Sequence, residues 1–184
     1  TAEPFPVPLR FFADRDALRA SVAPLDVDVI GRHRALLGSS VDGRAGAVAL
    51  TCAGCYGDSG LGRARTVLSL AGDDRRESFA VGYGRIRYSR ELVRVPDEDL
   101  VGPSMFFMAG NGGFDARDVL PPYFPFVGNE DGFFATLVRA CRAGSLTAYP
   151  AFALLHDPPS PRAFTAESIA DVTPTVTDLM MSSL

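Results

Sequence analysis

By its pattern of apolar and polar positions, the chain divides into short strands and helices punctuated by proline and glycine. Residues 9–13 predict a short strand, and Asp14 offers an N-cap for a helix running to about Val22 and closed by Pro24. Residues 25–30 alternate apolar with acidic side chains, which predicts a strand or strand end carrying Asp26 and Asp28 on one face. A short helix at 33–37 and a polar turn region at 38–46 lead into a buried strand at 47–52. That strand runs into a loop at 53–62 with four glycines and an exposed-looking pair, Asp58 and Ser59. A short element at 63–70 and a charged turn at 73–76 precede β-structure over 79–95, where apolar positions interleave with Arg85, Arg87, Arg90 and Arg94. Residues 104–109 are strongly apolar and predict a central strand, followed by a second glycine-rich loop at 110–117.

The stretch 120–134 then reads Leu-Pro-Pro-Tyr-Phe-Pro-Phe-Val-Gly-Asn-Glu-Asp-Gly-Phe-Phe. Its three prolines fix φ and push their predecessors toward extended backbone, so this is a shaped loop. The acids Glu130 and Asp131 stand where the loop gives way to a helix, in which Phe133, Leu137, Val138 and Cys141 recur at roughly helical spacing. Gly144 is a stop signal, and a strand at 149–155 delivers His156 into a turn held by Pro158, Pro159 and Pro161. Together these elements predict an α/β domain over 1–165, a mixed β-sheet flanked by helices, with a helical tail at 166–184 as if a further element followed.

Composition narrows the field. A chain of 184 residues with 47% apolar and 22% charged side chains suits one domain with a sizeable core. Every one of the 18 basic residues is Arg, and with a net charge of −4 and interspersed signs there is no basic patch to suggest a nucleic-acid partner. No apolar run approaches the ~20 residues of a membrane span. Three cysteines make a complete disulfide framework unlikely to be the design, so a reducing, cytoplasmic setting is the simpler expectation. Cys52 and Cys55 form a lone C-x-x-C without the second ligand pair that a zinc site needs, and buried thiols are the default.

Several positions carry candidate chemistry. Asp131 is either a helix cap or, with Glu130, a positioned base facing a cleft, because a rigid loop at a helix start holds a side chain well. Asp26 and Asp28 form a D-x-D that suits an oxygen-loving cation such as Mn²⁺ or Mg²⁺, or else they are two acids on a wet strand face. The glycine loop around Asp58 and Ser59 suggests a binding edge, although it carries neither a Walker nor a dinucleotide fingerprint. Gly57-Asp-Ser-Gly60 is similar to the nucleophile sequence of chymotrypsin-like proteases, and Gly-Asp-Ser to the opening motif of another class of serine esterases. The first needs a well-separated upstream His and Asp, and the second needs Asp-x-x-His where this chain has Ala153 three residues before His156. A hydrolase using Ser59 is therefore the third choice.

Three features stand in a telling order: Gly113-Phe-Asp-Ala-Arg117, then Asn129-Glu-Asp131 heading a helix, then His156 after the following strand. This order resembles the C-terminal, acceptor-side half of a GT-A-type, family-two-like nucleotide-sugar glycosyltransferase. The resemblance covers roughly residues 26–162 and implies an inverting, metal-dependent transfer of sugar from a nucleotide-diphosphate donor to a hydroxyl-bearing acceptor. It implies Asp131 as base with Glu130 orienting acceptor or base, and His156 as either a diphosphate contact or a metal ligand joining Asp26 and Asp28, in the place of the D-x-D, at Mn²⁺ or Mg²⁺. Asp115, Arg117 and Asn129 join Asp58 and Ser59 of the glycine loop as candidate substrate contacts. The family places a longer nucleotide-binding region before its D-x-D than the 25 residues that precede Asp26, so the fold is expected to be incomplete at its N-terminus. A non-catalytic binding domain, using the glycine-rich loops and arginine-lined strands, is the alternative from a different class.

Overall fold

The computed structural model describes residues 7–21, 25–43, 46–59, 72–104, 106–124 and 130–170. The described helices are α1 (Arg15–Arg19), α2 (Val29–Leu36), α3 (Gly72–Val81), α4 (Tyr83–Ile86), α5 (Glu130–Cys141) and α6 (Ala166–Ala170). The strands are β1 (Arg10–Phe11), β2 (Val48–Cys52), β3 (Gly54–Asp58), β4 (Glu91–Arg94), β5 (Leu100–Gly102), β6 (Gly112–Phe114), β7 (Leu146–Tyr149) and β8 (Ala153–His156). They form two mixed sheets in the orders β1-β4-β3-β8 and β5-β7-β2-β6, so the chain is α/β with helices flanking two sheets.

The sheets are continuations of one another. β2 passes into β3 across Ala53 alone, and β7 passes into β8 across residues 150–152, so the parallel pair β2/β7 becomes the parallel pair β3/β8. The bend keeps its backbone satisfied: Ala53 N–H donates to the Asn111 carbonyl at 2.8 Å and Gly54 N–H to the Phe152 carbonyl at 2.9 Å. Pro150 has no N–H to give the ladder, and the next donor, Ala151, turns to Asp99 Oδ1 at 2.8 Å. This is why one expected strand at 149–155 is two.

β2 is the strand that the apolar run 47–52 predicts, and all five of its residues are buried. Its Ala49, Leu50 and Cys52 pack with Phe107, Tyr149 and the α5 residues Phe134, Ala135 and Val138 in the main core cluster. Burying side chains such as Phe134 and Val138 is worth roughly 1.5–3 kcal/mol each. The buried face of α5 is rotated from the expected one: Phe133 and Leu137 are half-buried and Cys141 is exposed. The aromatic cage decides it, because Phe107, Phe114 and Tyr123 all close on the Phe134 ring, at 6.0, 6.0 and 5.2 Å between centroids. Gly144, at φ 76°, turns the chain out of α5 and toward β7.

Elsewhere local chemistry overrides the apolar pattern. Asp14 does cap α1, accepting from Ala17 N–H, but residues 25–28 are not a strand: Asp28 accepts from Gly31 N–H at 2.9 Å and starts α2. The charged residues 73–76 lie inside α3, with Arg76 and Asp73 paired at 2.8 Å across one turn. Of the β-structure expected at 79–95, only β4 forms, because Phe79 stacks on Tyr83 four residues on and Ile86 buries its side chain against Leu9, Phe11 and Leu92. The apolar run near 104–109 is not a strand either, since Tyr149 O–H takes the carbonyls of Phe106 (3.0 Å) and Ser104 (3.4 Å). The expected elements at 1–8 and 63–70 lie mainly or wholly outside the described residues, as does most of the tail beyond α6. Among the described residues no helix is long and apolar enough to cross a membrane.

Candidate functional site

The most consequential correction concerns residues 53–62, where the sequence predicts an exposed glycine loop. Residues 54–58 instead form the buried strand β3. Glycine serves close packing there: Gly57 sits at φ 97°, and a Cβ on it would overlap the carbonyl oxygen of His156, its register partner on β8. Because β3 and β8 are parallel, they bring Asp58 and His156 to the same, carboxyl-terminal end of the sheet. In open α/β sheets that end is where ligands lodge.

Asp58 is 2% exposed and held by two arginines. Arg162 reaches it bidentately, Nε to Oδ2 at 2.9 Å and Nη2 to Oδ1 at 2.8 Å, while Arg90 Nε meets Oδ1 at 2.8 Å. Burial alone raises the Asp58 pKa, but the hydrogen bonds and charges of Arg162 and Arg90 outweigh it and hold the carboxyl below its ordinary value. His156 Nδ1 lies 2.6 Å from the Asp58 carbonyl. A carbonyl only accepts, so Nδ1 carries a proton, and in the neutral imidazole Nε2 holds the lone pair. These residues, with Ser59, Met108 and Asn111, line a cleft of ≈ 390 Å³.

A strap after β8 presents Arg162. Arg15 and Arg19 of α1 both pair with Asp157, and Arg15 Nη2 donates to the Pro158 carbonyl at 2.9 Å. On the far side Ser89 bridges to Ala163, and Phe164 N–H donates to Tyr88 O at 2.8 Å. Anchored at both ends and stiffened by three prolines, the strap fixes where the Arg162 fork begins.

The second centre lies at the start of α5. Glu130 and Asp131 occupy the first helical turn, yet Asp131 does not act as a cap toward the helix's own amides among the described contacts. Its Oδ2 accepts from Ala109 N–H at 3.1 Å, and its Oδ1 from the Tyr123 hydroxyl. Burial, then the Asp131 hydrogen bond, raise the Tyr123 pKa, so the phenol stays a donor. Beside this carboxylate Phe114, Tyr123 and Phe124 stand half-exposed, at 47%, 42% and 40%. The turn at Ala109–Asn111 links the two centres: Ala109 holds Asp131, while Asn111 lines the cleft and donates through Nδ2 to Gly54 O at 3.2 Å.

The remaining candidates fall elsewhere. Asp115 and Arg117 are spent on each other, with Nε to Oδ1 at 2.7 Å, and the hydrogen bond from Arg117 lowers the Asp115 pKa. Arg142, immediately after α5, ties this pair to the helix end through the Asp115 carbonyl at 2.9 Å. Asn129 lies outside the described residues. Asp26 and Asp28 are exposed, Asp28 is engaged as a cap, and among the described residues no group of three His, Cys, Asp or Glu is placed to hold a metal. Among the described residues the expected set of Asp26, Asp28 and His156 is thus not brought together as a site for Mn²⁺ or Mg²⁺. Burial pushes the Cys52 thiol up to about 12 and Cys55 up to about 11, which argues for packing rather than redox chemistry.

Sequence reasoning missed Arg162, the pairing of Tyr123 with Asp131, and Phe114. The three prolines before Arg162 were a usable signal of a fixed side-chain origin. No protein-family model, curated protein or solved structure matches the chain.

Proposed function

We propose that the chain is the acceptor-side part of a GT-A-like, inverting glycosyltransferase, with Asp131 as the base. One observation carries this: a carboxylate held on both oxygens by neutral donors, beside half-exposed aromatic rings. Neutral donors orient a carboxylate and leave its formal charge in place, and each oxygen has a further lone pair to offer a substrate hydroxyl. Aromatic faces suit the apolar faces of sugar rings, and Phe114, Tyr123 and Phe124 would seat an acceptor glycan with a hydroxyl near Asp131.

In the proposed step the acceptor oxygen attacks the anomeric carbon and its proton passes to Asp131. The new C–O bond forms as the bond to the donor phosphate breaks, and the electron pair leaves with the nucleoside diphosphate. Glu130, one residue away in the same turn, orients the acceptor. No step is assigned to a metal, because the candidate ligands do not converge. The free, buried thiols Cys52 and Cys55 accord with a reducing, cytoplasmic setting for this chemistry.

The test is transfer from a panel of nucleotide sugars to glycan acceptors by the wild type and by Asp131→Asn. The expected result is transfer by the wild type and a loss of roughly 10²–10⁴-fold in the variant at unchanged donor affinity. Equal activity in the two proteins rules out Asp131 as base. A non-catalytic binding domain is the second possibility, favoured by the arginine-bearing cleft, in which nothing but recognition is required. Ligand binding by the wild type with no turnover of any donor supports it. The serine hydrolase loses support, since the Asp58 carboxylate serves two arginines and meets His156 only through its backbone carbonyl.

A further inference from the structure

We infer that the cleft at the ends of β3 and β8 is a phosphoryl-binding site, with Arg90 and Arg162 as its ligand-holding groups. Asp58 consumes only part of each guanidinium. Among the described residues Arg90 spends its Nε and Arg162 its Nε and Nη2, leaving both Nη groups of Arg90 and Nη1 of Arg162 without a hydrogen-bond partner. Asp58 is the buried counterion that the two forks share, and the Arg90 guanidinium is steadied by the Phe164 ring, 5.0 Å from its carbon.

Charge agrees with geometry. Two arginines around one carboxylate leave one positive charge in excess. The excess survives the next neighbours, because Glu91, Asp157 and Asp14 are matched in number by Arg15, Arg19 and Arg85. Two guanidinium forks, one from Arg90 just before β4 and one from the strap, offer donors from two separate elements, which suits a phosphoryl group with its several oxygens. The cleft, at ≈ 390 Å³, is far larger than a phosphate, and its Met108, Leu154 and Leu155 walls are apolar. The ligand is therefore an organic phosphate whose body lies along those walls, with His156 Nε2 free to accept from one of its hydroxyls.

This site does not depend on sugar transfer. The phosphoryl group belongs either to a nucleotide or to a phosphorylated molecule without a base, and the probes separate these. Calorimetric titration of the whole chain with inorganic phosphate, pyrophosphate and uridine diphosphate is expected to show saturable binding of at least one, below about 10 mM. Uridine diphosphate binding tighter than pyrophosphate assigns the group to a nucleotide; equal or weaker binding assigns it to a base-free phosphate. Arg162→Gln, which leaves Arg90 on Asp58, should weaken binding at least about tenfold in a chain that still unfolds cooperatively, and Arg162→Lys should weaken it less, since it keeps charge but loses the fork. Asp131→Asn should bind like the wild type, whatever it does to transfer. The inference is overturned if none of the three probes binds, if Arg162→Gln binds as tightly as the wild type, or if Asp131→Asn abolishes binding.

Discussion

Asp58 and Asp131 are two carboxylates at element ends, joined through the same short turn, and their surroundings give them opposite characters. Asp58 is buried and clamped by guanidinium groups, which cancel its charge and lower its proton affinity. Asp131 is half-buried and held by an amide and a phenol, with no ion pair among the described residues. A clamped carboxylate serves as a structural counterion; an oriented, unneutralised one fits the base proposed for Asp131. What decides the role of an acid is therefore the formal charge of its donors, more than its burial or its place on an element.

The sharpest break of this comparison exchanges the readouts. Asp131→Asn should cost roughly 10²–10⁴-fold in transfer and little in stability, because the amide oxygen can still accept from Ala109 while its NH2 donates to the Tyr123 hydroxyl oxygen. Asp58→Ala should do the reverse, destabilising the fold by about 3–5 kcal/mol by leaving two arginines facing one another without their counterion. Chemical denaturation of both variants beside their kinetics measures the exchange. If Asp131→Asn unfolds as readily as Asp58→Ala, the two acids share one structural role and the contrast is lost.

A smaller effect follows from pH. Since the folded pKa of Asp58 lies below its unfolded value of about 3.9, its stabilisation is fully present above that pH and is lost as pH falls through the folded value. The stability difference between wild type and Asp58→Asn should hold through neutral pH and shrink below about pH 4. A difference that is flat down to the acid limit of folding would mean that the arginines do not stabilise the charged form.

Much of the frame was legible because its signals are local. The uniform apolar run of β2, the Asp14 cap and the arrival of His156 at a strand end each need only a few neighbouring residues. β3 was hidden because Gly54 and Gly57, which read as loop, are there to let neighbouring backbone approach. α3 was hidden because charge so dominates its first turn that no apolar period appears. The site was harder still: Arg162 meets Asp58 across 104 positions of sequence, and Asp131 meets Ala109 across 22. Nothing in residue type or spacing encodes such partners, which is why Asp58 and Ser59 read as exposed in the sequence and are buried in the fold.

The finest probe of the contrast is Tyr123, which touches only the unneutralised acid. Its hydroxyl donates to Asp131 while its ring packs on Phe134 and leaves one part exposed beside Phe114 and Phe124. Phe in its place keeps the ring and loses the bond, so kcat should fall about fivefold, the equivalent of a ~1 kcal/mol hydrogen bond, with KM for the acceptor unchanged. Ala removes the ring as well, and KM should then rise because the aromatic seat is gone. A fall in kcat alone for Tyr123→Phe would separate orientation of the base from seating of the acceptor. If Tyr123→Phe behaves as the wild type and Tyr123→Ala merely loses stability, the tyrosine is packing for Phe134, and Asp131 is oriented by Ala109 without it.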